Sequence, residues 1–196
     1  MLFRSIWFDF VDPASVLLLL EIEAAVEEGA AWSRESEIRW HPFELRPPPT
    51  PLVGVDDAEI APLWAAADLL ASAAGVELAP PTLVPWTRKA HELVAHADAQ
   101  DPSVASRVRT AIARSYALDG RDIGRVDVLV EIAIAHGLDR TETKAVLDVD
   151  RYDADVTAAR GQAEEAGVTI TPTLVTGTQR IEGFHNRTAL GTLLGT

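Results

Sequence analysis

Apolar residues recur with a period of two at both ends of the chain and with a period of three to four between them. From Leu2 to Val11, Ile6, Phe8 and Phe10 fall on one face and Trp7, Asp9 and Val11 on the other, which predicts a strand. Asp12-Pro13 follows at once. An acidic N-cap and a proline preset for the first turn predict a helix running from there toward Gly29. Glu37 to Phe43 alternates again, with Ile38 and Trp40 facing together, until Arg46-Pro47-Pro48-Pro49 ends regular structure.

The pattern then changes. Asp56 to Ala74, Trp86 to Gln100, Ser103 to Leu118 and Val126 to His136 carry apolar residues at helical spacing, with shorter helices expected at Thr141 to Leu147 and Tyr152 to Ala166. No strand is evident in this block. After Gly167, Val168 to Val175 and Gln179 to Ile181 read as two strands around a Thr176-Gly177 turn, and Asn186 to Leu194 as a closing helix. Strands must neighbour one another in space, so the two ends are expected to meet in one sheet while the middle forms a helical lid over it.

Composition narrows the functional classes. The 196 residues are 47% hydrophobic, enough for a substantial core and one domain of ordinary size, with no internal repeat. A net charge of −13 repels phosphate backbones and anionic lipid, so neither nucleic acid nor membrane is an expected partner. Val16 to Leu20 is far shorter than the roughly 18 apolar residues a spanning helix needs. Met1 to Phe10 lacks a secretory-signal profile, which favours a cytoplasmic location. Cysteine is absent, which removes disulfides, thiolate ligands and thiolate nucleophiles from the polypeptide.

Four segments carry a resemblance. Phe8-Asp9-Phe10-Val11-Asp12-Pro13, Trp40-His41-Pro42-Phe43-Glu44-Leu45, Gly120-Arg121-Asp122-Ile123 and Gly167-Val168-Thr169-Ile170-Thr171-Pro172-Thr173-Leu174-Val175, together with Ala90-His91, resemble the DsbA-type branch of the thioredoxin superfamily. Within it they look like the cytoplasmic dithiol-disulfide isomerase-like proteins, related to 2-hydroxychromene-2-carboxylate isomerase and kappa-class glutathione transferase. The resemblance implies an α/β thioredoxin fold with a large all-helical insertion: residues 1–50 and 150–196 as the thioredoxin-like domain, 51–149 as the lid. The family's Cys-Pro-aromatic-Cys motif falls on Asp12-Pro13-Ala14-Ser15. The glutathione-using relatives instead place serine first, whereas this chain has serine only last.

Asp12 is read first as a helix N-cap, stabilising by about 1 kcal/mol. The helix N-terminus should hold its carboxyl ionised with a lowered pKa, making it a poor general base. A thiolate about 4 Å away would be repelled by ~4 kcal/mol at an effective dielectric of about 20, more than the ~2 kcal/mol the helix dipole offers. Ser15 is expected as a helix-surface hydroxyl. Thr171-Pro172 matches the family's cis-proline turn, which the resemblance places opposite the helix start, where the preceding residue pairs with an extended peptide or thiol ligand. His91 and His96, five apart, lie on different helical faces and do not form a metal pair. His41 and His185 read as packing or surface residues, and Trp64 and Trp86 as lid residues.

The catalytic residues are thus unknown, with Asp12 and Ser15 at the motif positions and no metal or cofactor expected. The expected ligand groove comprises Asp12, Pro13, Ala14, Ser15, Thr171 and Pro172, for a peptide or small molecule, in a protein of an oxidoreductase family that has lost thiol–disulfide activity. The alternative is a glutathione-dependent isomerase or transferase using Ser15. A third reading is a subunit of a homodimer or complex.

Overall fold

The computed structural model describes residues 4–33 and 38–194; the predicted strand positions Leu2, Phe3 and Glu37 lie outside them. The chain opens with strand β1 (Arg4–Phe8), helix α1 (Pro13–Glu27) and strand β2 (Ile38–Pro42). It closes with β5 (Thr173–Thr176), β6 (Gln179–Glu182) and α8 (Arg187–Leu194). These strands form one sheet in the order β2-β1-β5-β6, so the two ends of the chain do meet. β1 pairs in parallel with β2 and antiparallel with β5, Ile6 standing opposite both Trp40 and Leu174. Phe43 N–H to Phe8 O, 2.9 Å, continues the β1–β2 ladder by one rung.

The segment between is helical: α2 (Ala61–Ala73), α3 (Arg88–Gln100), α4 (Pro102–Ala117), α5 (Val126–Ala135) and α6 (Arg140–Asp148), followed by α7 (Asp153–Glu165). It is interrupted by a short antiparallel ribbon, β3 (Val53–Gly54) with β4 (Leu83–Val84), that the sequence pattern does not show. Two residues per strand, bounded by Pro51, Pro80-Pro81 and Pro85, are too few to produce an alternation. The helix expected from Asp56 begins instead at Ala61. Pro62 presets its first turn, and the Asp57 carboxylate turns the preceding loop by accepting Glu59 N–H. β5 starts at Thr173 rather than Val168, because Pro172 has no N–H to give to the ladder. Gly177, at φ +60°, supplies the left-handed turn of the β5–β6 hairpin.

Both faces of the sheet are covered. On one, Ile6, Leu174 and Ile181 pack with Leu18 and Ile22 of α1 and Leu190 of α8; on the other, Trp7 and Phe43 pack with Ala163 of α7 and Val168. The end of β1 and the following loop, through Phe8, Phe10 and Val11, join Leu93, Val108, Ile112 and Tyr116 in one continuous core, so the insertion and the sheet share their interior. Arg88 ties them at the rim. Its guanidinium bonds the buried Glu44 carboxylate after β2 (Nε to Oε2, 2.9 Å) and the Asp153 carboxylate at the start of α7. No described helix is long and apolar enough to cross a membrane.

Leu93 is fully buried, whereas Leu69, on the outer side of α2, is 76% exposed. Leu93→Ala should cost about 2–5 kcal/mol by cavity formation, and Leu69→Ala less than about 0.5 kcal/mol, as measured by urea unfolding. Equal effects would mean that the insertion does not pack on the sheet as described.

Candidate functional site

The site is built where β1 hands over to α1. Asp12 is extended (φ −88°, ψ 109°) and caps the helix: Oδ1 accepts Ala14 N–H at 3.1 Å and Oδ2 accepts Ser15 N–H at 3.2 Å. Pro13 has no N–H and leaves no donor to satisfy at the first helical position. Ser15 Oγ donates to Asp12 Oδ2 at 2.6 Å and accepts Asp9 N–H at 3.4 Å. The expectation of a surface hydroxyl is therefore corrected: Ser15 has no exposure, because its position on α1 turns toward the strand end rather than outward.

The expected pKa of Asp12 is corrected as well. Burial pushes it up to about 6, outweighing the hydrogen bonds from Ser15, Thr171 and Ala14 that favour the charged form, and the Asp9 carboxylate adds repulsion. The reasoning from the helix N-terminus counted the favourable amides and not the lost water. Asp12 is 6% exposed.

Behind it sits a second carboxylate that the sequence reading did not single out. Asp9, fully buried, accepts Leu45 N–H at 2.8 Å on Oδ2 and faces His91 Nε2 at 3.3 Å through Oδ1. The His91 ring lies against Phe8 and Phe10, with centroids 5.3 and 4.8 Å apart. The sequence did hold a signal, since an acid inside an alternating apolar strand needs a buried partner. Nothing local says that the partner comes from α3.

On the neighbouring strand, the Trp7–Thr173 pairing brings Thr171-Pro172 alongside the loop that follows β1. The Thr171–Pro172 peptide bond is cis, and Pro172 O accepts Gly183 N–H at 2.8 Å. The Thr171 hydroxyl faces Asp12 and favours its ionised form. The six predicted groove residues are thus brought together, with Asp12, Pro13, Ser15 and Pro172 buried and Ala14 and Thr171 partly exposed.

The other candidates lie apart. His41 stacks on Trp7 at 4.6 Å and His185 is held near Glu182 O. Trp64 is core, and Trp86 donates Nε1–H to Thr50 O at 2.8 Å. A cavity of about 760 Å³ beside Trp86 and Arg88 and another of about 520 Å³ beside Trp40 and His41 are lined by none of the six.

Residues 5–194 match the DSBA-like thioredoxin domain. The chain belongs to that family. It is 30% identical to YwbO, an uncharacterized protein of Bacillus subtilis, over 82% of each chain. In fold it is similar to a probable DsbA oxidoreductase from Streptomyces coelicolor, with a TM-score of 0.83 at 22% identity over 99% of this chain and 88% of that one. It also resembles 2-hydroxychromene-2-carboxylate isomerase, with a TM-score of 0.74 at 17% identity over 97% and 92%. On this DsbA-like scaffold the two motif positions that hold cysteines in the resemblance carry Asp12 and Ser15, and no cysteine occurs anywhere in the chain.

A carboxyl whose pKa rises on folding costs stability when ionised; that cost is absent below about pH 4 and complete above about pH 6, where it reaches about 3 kcal/mol. Asp12→Asn, which cannot ionise, should therefore gain on the wild type as pH rises from about 4 to about 7. The altered capping bonds add only a constant offset. Unfolding by urea across that range measures the difference, and a difference that stays flat would refute the raised pKa.

Proposed function

We propose that this DsbA-family protein has no thiol–disulfide activity of its own and binds an extended peptide or small ligand in the groove between Asp12–Ser15 and Thr171–Pro172. The observation that carries this reading is the 2.6 Å hydrogen bond between the residues at the two motif positions. Redox turnover needs a pair of sulfurs able to exchange electrons with substrate. Here an acid and an alcohol are bonded to each other instead, and both are buried.

The binding half of the reading is supported by the turn opposite. Thr171 makes no backbone hydrogen bond to a described residue, and it lies partly exposed just before the start of β5. A free N–H and C=O there support pairing with an extended chain by strand addition. The glutathione reading fares worse. Its donor to the cofactor thiolate is the Ser15 hydroxyl, whose proton is already committed to Asp12, and an ionised Asp12 repels a thiolate.

Reduction of insulin by dithiothreitol tests the first half. The protein should leave the rate at the level of the protein-free control, and any concentration-dependent acceleration would overturn the loss of redox activity. Calorimetric titration with glutathione, carried to millimolar concentrations, should give no heat beyond dilution. Saturable binding there would favour the glutathione-dependent enzyme.

A further inference from the structure

On one side the sheet ends at β2, which pairs only with β1. Phe43 N–H bonds Phe8 O, so His41 and Arg39, two and four positions earlier, also turn their backbone groups toward β1. Ile38 and Trp40 therefore aim N–H and C=O outward, and Pro42 its C=O alone. None of these outward groups meets a partner among the described residues. A row of unpaired backbone groups is a template for another strand.

The cavity of about 520 Å³ beside Trp40 and His41 is lined by all 5 residues of β2. Side chains alternate between the two faces of a strand, so a cavity that meets consecutive residues lies along the edge. Its walls come from opposite faces of the sheet. Val94 and Asp98 of α3 and Arg109 of α4 stand on the Trp40 side, the guanidinium 4.5 Å from the Trp40 ring centroid. Asp155, Ala158 and Ala159 of α7 stand on the other, where α7 covers Trp7 and Phe43. An added strand runs about 4.8 Å beyond the edge, and the space between these walls admits a single extended chain. A second copy would bring its own α3 and α7 alongside its β2, and these would collide with the walls.

The charge of the cavity adds to its shape. Asp98 and Asp155 are exposed, one on each wall, and neither forms an ion pair or hydrogen bond with a described residue. The arginines are engaged already, Arg109 on the Trp40 ring and Arg39 with a partner of its own. The charge left to meet a ligand is thus negative on both sides, in a chain of net charge −13.

We infer that the open edge of β2 is a strand-addition site for an extended segment of a partner protein that carries adjacent basic residues among apolar ones. Ile38 and Trp40 supply the main-chain hydrogen bonds. Successive side chains of the added strand point to opposite walls, so two adjacent basic residues face Asp98 and Asp155. The site is separate from the groove beside Asp12 and does not rest on ligand binding there.

The test uses the capped peptide Thr-Val-Lys-Lys-Val-Thr and its counterpart with two glutamates, followed by calorimetry and by hydrogen exchange at the Trp40 amide. With free lysine peptide at about ten times its Kd, exchange at Trp40 should slow about 10-fold. The glutamate peptide should bind at least about 5-fold more weakly. Methylating alternate backbone nitrogens of the lysine peptide should abolish binding in one alternation and spare it in the other, because only every second N–H faces β2. The double variant Asp98→Asn/Asp155→Asn should erase the preference for lysine, and Ala158→Trp, whose ring fills the cavity, should abolish binding. All three positions are exposed, so the fold is kept.

Binding that leaves Trp40 exchange unchanged, or that survives Ala158→Trp, would place the peptide elsewhere and overturn the edge site without touching the groove beside Asp12. Equal affinity for the two peptides, or no binding by either, would overturn it as well. Protection of Trp40 that grows with protein concentration alone would assign the edge to a second copy instead.

Discussion

Two carboxylates, Asp9 and Asp12, are withdrawn from water at the junction of β1 and α1, and the elements around that junction are arranged to satisfy them. The loop after β2 gives Leu45 N–H to Asp9, α3 gives His91, and α1 gives the amides of Ala14 and Ser15 to Asp12. The Ser15 hydroxyl joins the two residues by accepting from the Asp9 amide and donating to the Asp12 carboxylate. Each contribution comes from a different element, so strand pairing, helix start and docking of the insertion are coupled through one hydrogen-bonded cluster. A half-satisfied network of this kind would be worse than an apolar one, which is why so many partners converge there.

The same cluster separates scaffold from chemistry. A DsbA-like thioredoxin domain needs a helix beginning close to the end of a central strand and a proline turn across from it, and both are present. Neither depends on sulfur. Asp12 and Ser15 satisfy the helix start with oxygen atoms, and in doing so they turn inward toward each other. Relatedness of fold extends over nearly the whole chain, while the reactive atoms are missing, so architecture and activity have to be argued from different residues.

Burial decides the character of Asp12 against its position on the helix. Favourable amides and the macrodipole are worth about 1–2 kcal/mol at a helix start, but removal from water costs an ionised group more, and the balance raises its pKa to about 6. Local sequence supplies the first term. The second needs the folded chain, which leaves Asp12 only 6% exposed.

Elements with a long, regular pattern were legible: the alternation before Asp12, the acidic cap with its proline, and the apolar spacing of α3 and α4 each state their own structure, because strand and helix periods are properties of consecutive residues. The β3–β4 ribbon was illegible, since two residues carry no period. Asp12, Ser15, Thr171 and Pro172 could be named in advance through their motif positions. Asp9 and His91 could not be paired, lying 82 residues apart with no local rule connecting them. The chain alone determined that no electron can pass through a cysteine of its own, because it has none. Only the folded molecule decided that Ser15 is sealed and that Asp12 is buried with a raised pKa, because burial and hydrogen-bond geometry are set by what the rest of the chain packs around them.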